Sequence, residues 1–359
     1  MIGPTASIPA FEAPVTFPRE CPLRIGLIGA GGVANGGHIP QYRKAGYQVV
    51  GCADINAANA ENTKERWNLS FACTDHRQLL EQRDIDVVLV TVHPESRVEV
   101  VRDAVAAGKH VLIEKPFAHS YADAVAMVKA AEQSGVKLAV SQNRRWMPVH
   151  RSTRLLLDAQ AIGQPFFAVY TGRSNQEYLV GSWYERDRHF LLIEFSVHHL
   201  DLLVYWLGEP VSVYATNSHS PSQRFAHDMV TLVSLNFTNG IRAQLSINDV
   251  ACDPGRSTYW DRDDFLIDGD QGLIQKVDER RLNLTSVQTG GAIVQKQLAP
   301  IDTMAASMGD LLDAIQNDRE PSSSGRRNLA TMRTVFAACR SADEQRVVTL
   351  QEIAREVPS

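Results

Sequence analysis

Directly after the apolar run Arg24 to Ile28 the chain reads Gly29-Ala30-Gly31-Gly32-Val33-Ala34, the pattern G-x-G-x-x-A ahead of a helical stretch. A turn of this kind leaves few folds open. Gly29 permits a tight turn, Gly31 lets the backbone approach a pyrophosphate, and Ala34 leaves room for the helix to pack on the strand. Amide groups at the start of that helix receive the phosphate charge. Asp54 ends a second apolar run 25 residues after Gly29, where an acid accepts hydrogen bonds from both hydroxyls of an adenosine ribose. A carboxylate there repels a 2′-phosphate, and Ile55-Asn56 offers no Arg or Lys to bind one. NAD is therefore expected ahead of NADP, which would have to recruit Lys64 or Arg66 from the next helix. The expected contacts of the cofactor at this end are Gly29, Gly31, Gly32, Val33, Ala34 and Asp54.

From Leu23 onward the short apolar runs RIGLIG, YQVVGCAD, VVLVT, HVLIE and KLAVS alternate with helical stretches. That alternation predicts right-handed βαβ units and a doubly wound parallel sheet of five or six strands. Ser120 is expected to cap a helix with apolar positions at Ala124, Val125, Val128 and Ala131, ending before Gly135. After Pro148 the pattern changes to one or two helices and then long runs rich in Val, Thr, Tyr and Phe. In VTLVSLNF-TNG-IRAQLSIND, Asn239-Gly240 between two alternating runs predicts a type I′ hairpin. This half is expected to form an antiparallel or mixed sheet. Helices near Thr303 to Asp318 and Asn328 to Glu344 and a terminal strand near Val347 should follow.

A length of 359 residues, at about 150 per domain, fits two domains. The expected boundaries are a proline-rich arm over 1–22, a dinucleotide-binding domain over 23–146 and a second domain over 147–359. Pro4, Pro9, Pro14, Pro18 and Pro22 keep the arm from continuing a helix or a central strand, and its Ile8, Phe11, Val15 and Phe17 should lie on the body or on a neighbouring subunit. With 36 Lys and Arg against 41 Asp and Glu, the net charge of −5 argues against a nucleic-acid partner. No apolar stretch reaches 18 residues, and the first residues lack the order of a signal peptide, so no spanning helix is expected and the cytoplasm is the expected compartment. The five cysteines, Cys21, Cys52, Cys73, Cys252 and Cys339, are an odd number without C-x-x-C, so neither a disulfide framework nor a thiolate zinc site is expected.

The phrase Ala106-Ala107-Gly108-Lys109-His110-Val111 running into Glu114-Lys115-Pro116 resembles the Gfo/Idh/MocA family of oxidoreductases. The resemblance covers nearly the whole chain from Leu23. It takes in the glycine motif, Asp54, the E-K-P, the basic segment Asn143-Arg144-Arg145, an H-x-x-D and a late Gly269-Asp270-Gln271-Gly272. It implies a Rossmann domain followed by an α/β domain with a large open, mostly antiparallel sheet. It also implies a reaction in which a secondary alcohol of a sugar, cyclitol or related polyol exchanges a hydride with the nicotinamide. Glu114, Lys115 and Asn143, with Thr91 and His93 of Thr91-Val92-His93-Pro94, are the further cofactor contacts implied.

Glu194, His198 and Asp201 of E-F-S-V-H-H-L-D are spaced i, i+4 and i+7, which places them on one face of a helix. The family pattern D-x-x-x-H-x-x-D implies His198, and not His199, as the catalytic histidine. An imidazole is suited to take the hydroxyl proton as hydride leaves the carbon. Lys115 is expected to stabilise the alkoxide and to favour the neutral imidazole, and Glu194 to hold the reacting or adjacent hydroxyl. Asp201 is expected to be structural. Glu194 stands where the family commonly has Asp, and Arg188-His189-Phe190 where many members have glycines, which narrows the expected pocket. Trp183, Arg188, His189 and Arg145, together with Lys115, Glu194 and His198, are the candidate substrate contacts, and Tyr259-Trp260 is a further aromatic candidate. Glu194 and His198 at i, i+4 could share an ion, but the nearby Lys115 would repel it, so no metal is expected. Two other readings stand beside a dehydrogenase. One is a redox-neutral NAD-dependent glycosidase with His189 or Tyr184 as an extra base; the other is a dinucleotide-binding regulator. An open sheet leaves an apolar face for a homodimer or homotetramer to cover.

Overall fold

The structure, a computed structural model, describes residues 10–11, 21–251 and 261–357, and these group into two compact units. Residues 21–146 and 302–332 form the first; 10–11, 147–251, 261–301 and 333–357 form the second.

In the first unit six parallel strands stand in the order β3-β2-β1-β4-β5-β6. They are β1 (Arg24–Ile28), β2 (Gln48–Ala53), β3 (Phe71–Cys73), β4 (Val87–Val90), β5 (His110–Ile113) and β6 (Leu138–Val140). All four residues of β4 are buried, as expected for a central strand covered on both faces. The crossovers carry α1 (Ile39–Ala45), α2 (Ala57–Trp67), α3 (His76–Leu80), α4 (Pro94–Ala106) and α5 (Tyr121–Gln133). Side-chain caps fix where three of these helices start: Asn56 accepts from Ala58, Asp75 from Arg77 and Ser120 from Asp123. The A-A-G-K-H-V phrase builds the turn into β5. Gly108 takes a φ of +73°, Lys109 Nζ donates to the carbonyls of Gln82 and Ile85 at 2.9 and 2.7 Å, and His110 Nδ1 accepts from the Lys137 amide. The chain passes to β2 on one side of β1 and to β4 on the other, and this reversal opens a crevice at the carboxyl ends of the strands.

The second unit holds α6 (Pro148–Asp158), β7 (Pro165–Ser174), α7 (Val197–Leu207), β8 (Ser212–Ser218), β9 (Val230–Asn236) and β10 (Arg242–Asn248). It continues with β11 (Asp261–Gly269), β12 (Gly272–Asp278), β13 (Arg281–Ser286) and β14 (Ile293–Gln297). Together with the later β15 (Val348–Thr349) these strands make a nine-stranded sheet in the order β14-β13-β12-β11-β7-β10-β9-β8-β15, antiparallel except for the pair β7–β10. Burial alternates along β8, β9 and β10, so one face is buried and the other open. His150 of α6 and Trp206 of α7 pack with Tyr170 and Phe265 on the buried face. Phe167, Tyr214 and Leu232 are exposed. The β9–β10 hairpin differs from a type I′ turn. Gly240 donates to the Phe237 carbonyl at 3.2 Å, Phe237 to that of Ile241 at 3.1 Å, and of the turn residues only Gly240 has a positive φ, +84°. This is a three-residue loop, in which a single left-handed residue suffices.

Thr303–Gln316 is α8, Gly325–Glu344 is α9 and Leu350–Ala354 is α10. Asp302–Met332 groups with the first unit, which departs from a cut at residue 146. The reason is the apolar face of α8: Ala305, Met308, Leu311 and Leu312 join the core around Ile25, Leu27, Tyr42 and Leu89. The arm expected over 1–22 lies mostly outside the described residues. Of it, Phe11 is buried, and its carbonyl accepts from Ser152 Oγ at 2.5 Å. Among the described residues no helix is long and apolar enough to cross a membrane.

Candidate active site

At the crevice of the first sheet, Gly29 takes a φ of +98°, and a Cβ there would meet the Thr91 backbone at 2.9 Å. Thr91 Oγ1 donates to the Gly29 carbonyl at 2.7 Å. Asp54 ties the loop to the end of β2: one oxygen accepts from the Ala30 amide at 2.7 Å, the other from the Asn56 amide at 2.8 Å. Asn35 braces the loop from the following helix, donating to the carbonyls of Ala30 and Gly31 and accepting from Trp67 Nε1. That helix contains a π-turn, Ala34–His38, before α1. Gly29, Gly31, Asp54, Thr91 and His93 line a cleft of about 590 Å³ together with Asn56, Asn59 and Arg77. A dinucleotide fits these residues. Gly31 and Gly32 have no heavy atom within 4 Å of where a Cβ would stand, and the buried Oδ1 of Asn143 makes no hydrogen bond among the described residues. Val33 is exposed beside the loop and Ala34 is buried.

The E-K-P lies past the end of β5, with a cis Lys115-Pro116 bond. Glu114 is buried. Burial pushes its carboxyl up, but the His38 hydrogen bond and the charges of His38, Lys115 and Arg97 outweigh this and hold it below the usual carboxylate range. As a carboxylate it only accepts, so His38 Nε2–H donates to Oε1 at 2.7 Å and the Lys115 amide donates to Oε2 at 3.1 Å. The other ring nitrogen of His38 meets the Tyr42 hydroxyl at 2.9 Å, and both side chains are fully buried. Lys115 itself is half-buried. Arg97 of α4, buried like Glu114, donates to the carbonyls of Val92, Lys115 and Pro116. Arg145 is also buried, its guanidinium on the Ser322 carbonyl at 2.8 Å.

In the second unit Glu194 is not on the α-helix that carries His198 and Asp201. It lies in a π-turn, Leu191–Phe195, and α7 begins at Val197, so the i, i+4 and i+7 spacing does not describe one continuous α-helical face. Glu194 and Asp201 are buried. The two adjacent histidines differ: His199 is sealed between the rings of Tyr170 and Phe195, at 5.1 and 5.4 Å, whereas His198 is half-exposed. Arg188 and His189, on the approach to the π-turn, both reach Asp343, His189 Nε2 at 3.2 Å. Trp183 packs against Tyr184, the ring centroids 4.0 Å apart and the planes tilted by 30°. Tyr259 and Trp260 lie outside the described residues.

Two family models match, one described as the oxidoreductase family's NAD-binding Rossmann fold over residues 23–142, the other as its C-terminal alpha/beta domain over 156–350. The chain belongs to the Gfo/Idh/MocA oxidoreductase family. Among its relatives in this family, a D-apiose dehydrogenase of Paraburkholderia graminis is 27% identical over 93% of this chain and 91% of its own. An inositol 2-dehydrogenase of Gluconacetobacter diazotrophicus is 32% identical over 63% of this chain and 67% of its own. An oxidoreductase from Agrobacterium radiobacter, solved with NAD+, L-tartaric acid and magnesium, superposes with a TM-score of 0.85 at 23% identity over 92% of this chain and 99% of its own. The first unit of this Gfo/Idh/MocA protein is accordingly an NAD-binding Rossmann domain, and the protein is an oxidoreductase.

His38, Asn35 and Arg97 escaped the reading of motifs. For His38 and Arg97 the signal was a polar side chain on an apolar helix face: Arg97 shares the buried positions of α4 with Val100, Val101 and Ala104, and His38 those of its helix with Ala34, Ile39 and Tyr42.

Proposed function

We propose that the protein is an NAD-dependent dehydrogenase acting on a secondary alcohol of a sugar, cyclitol or glycoside. His198 is the general base, Lys115 stabilises the developing alkoxide, and Glu194 holds the reacting or adjacent hydroxyl. The observation that carries this reading is the contrast on α7, where His199 is buried between the rings of Tyr170 and Phe195 and His198 is only half-buried. The names of the relatives, apiose and inositol dehydrogenases, support an alcohol of the sugar or cyclitol class.

Bound NAD⁺ supplies the acceptor for the hydride that leaves the alcohol carbon. Gly29, Gly31, Gly32 and Asp54 would hold its adenosine and pyrophosphate end, and Thr91, His93, Lys115 and Asn143 would face the nicotinamide. His198 takes the hydroxyl proton onto a ring nitrogen. The Lys115 ammonium offsets the negative charge growing on the same oxygen, while the Glu114 carboxylate, fixed by His38, fixes the Lys115 amide in turn. Trp183 and Tyr184 offer an apolar face for the C–H side of a ring.

The test is absorbance of reduced nicotinamide across sugars, inositols and glycosides. Lys115→Ala and His198→Ala should each lower kcat about 10²-fold or more. A glycoside cleaved without accumulation of reduced cofactor would replace the dehydrogenase with the redox-neutral glycosidase; NAD binding without any turnover would favour the regulator. We also infer that copies of the chain associate through the open sheet face carrying Phe167, Tyr214 and Leu232. Sedimentation should show a dimer or tetramer, which Leu232→Lys disperses.

A further inference from the structure

We propose that Arg97 is the positioning residue for Lys115: its guanidinium holds the loops after β4 and β5 together and so fixes the backbone from which the Lys115 ammonium is presented. The inference rests on the catalytic reading of Lys115 given above. Arg97 Nε donates to the Val92 carbonyl at 3.0 Å, Nη1 donates to the Pro116 carbonyl, and Nη2 lies 3.4 Å from the Lys115 carbonyl. Strands β4 and β5 are neighbours, so these carbonyls belong to adjacent loops at the carboxyl edge of the sheet, where such folds bind ligands.

Packing alone does not account for an arginine here. Its companions on the buried face of α4 are Pro94, Val100, Val101, Ala104 and Val105, and a buried cation is costly unless hydrogen-bonded and balanced. The carbonyls supply the hydrogen bonds, and the Glu114 carboxylate, which feels the Arg97 charge, supplies the balance. A planar fork with five donors can span carbonyls on two loops at once. An ammonium has the same charge but concentrates its donors at one point, so Arg97→Lys separates geometry from charge.

The experiment compares the wild type with Arg97→Lys and Arg97→Gln, with Lys115→Ala as control. NAD⁺ affinity is measured by calorimetry and turnover with the alcohol found in the substrate panel. Acetylation of Lys115 by sulfo-N-hydroxysuccinimide acetate, read by mass spectrometry relative to Lys44 in the same molecule, needs no turnover. Arg97→Lys should lower kcat about 30-fold or more while the KM of the alcohol and the Kd of NAD⁺ stay within about threefold, since misplacing a reacting group taxes the chemical step more than binding. The relative acetylation of Lys115 should rise at least about threefold as its backbone loosens. Unchanged kcat and unchanged acetylation overturn the proposal. So does a loss shared equally by kcat, NAD⁺ affinity and melting temperature, or failure of both variants to fold, because Arg97 would then be a general determinant of the fold. Full activity in Lys115→Ala would overturn the catalytic reading of Lys115 instead, leaving acetylation to report whether Arg97 positions it.

Discussion

Asp54 uses each of its oxygens on a backbone amide, Ala30 on the glycine loop and Asn56 at the start of α2, so its carboxylate is oriented before any ribose arrives. Replacing it with Asn removes the charge and sets an amide NH₂ against a backbone N–H. Asp54→Asn should therefore weaken NAD⁺ about tenfold and narrow the preference over NADP⁺ by a similar factor, as the worth of a charged hydrogen bond suggests; calorimetric titration with both dinucleotides measures this. Asp54, Lys115 and His198 were singled out from the sequence because each sits in a motif whose chemistry would use that residue type. The environment of a residue was not legible in the same way. Nothing in the letters His198-His199 says that one ring is sealed against Tyr170 and the other only half-buried, since β7 is brought under α7 only by the fold.

The strands and helices of the first unit follow their sequence signals closely, down to the Ser120 cap. The turn at Gly29 is fixed twice over, by a left-handed backbone and by the nearness of Thr91. Gly29→Ala should cost about 1–3 kcal/mol in urea unfolding, from a Cβ forced into both constraints. The two π-turns, at Ala34–His38 and Leu191–Phe195, were not legible. Over five residues a period of 4.4 cannot be told from 3.6, and only hydrogen bonds formed in the folded chain distinguish them. At Asn239-Gly240 the residue types indicated a hairpin correctly but not its loop length, which the strand register sets.

For the whole molecule, the first unit is discontinuous in sequence. Met308, Leu311 and Leu312 of α8 share a core with Ile25, Leu27 and Tyr42, so residues 21–146 without α8 would expose that core. A fragment of 21–146 should be insoluble or lack a cooperative thermal transition, and in the full chain Met308→Ala should cost about 2–5 kcal/mol by calorimetry, the usual toll for emptying a fully buried site. The amphipathic pattern of α8 announces a helix with one face to bury; it carries no address for that face. The same limit holds for Arg97, whose place on an apolar stripe signals a partner without saying that the partner is the loop bearing Lys115.

The sequence by itself determined the local chemistry of this protein. The glycine turn, the acid ending the second strand, the E-K-P and the alternation of strand and helix all depend on residues close together in the chain, where period and residue type decide the outcome. The tertiary structure alone decided which helix completes the first core, which of two histidines is sealed into the core of the second unit, and which buried polar side chains hold the E-K-P. Those choices depend on contacts between residues far apart in the chain, and their energy exists only once the sheet has brought the partners together.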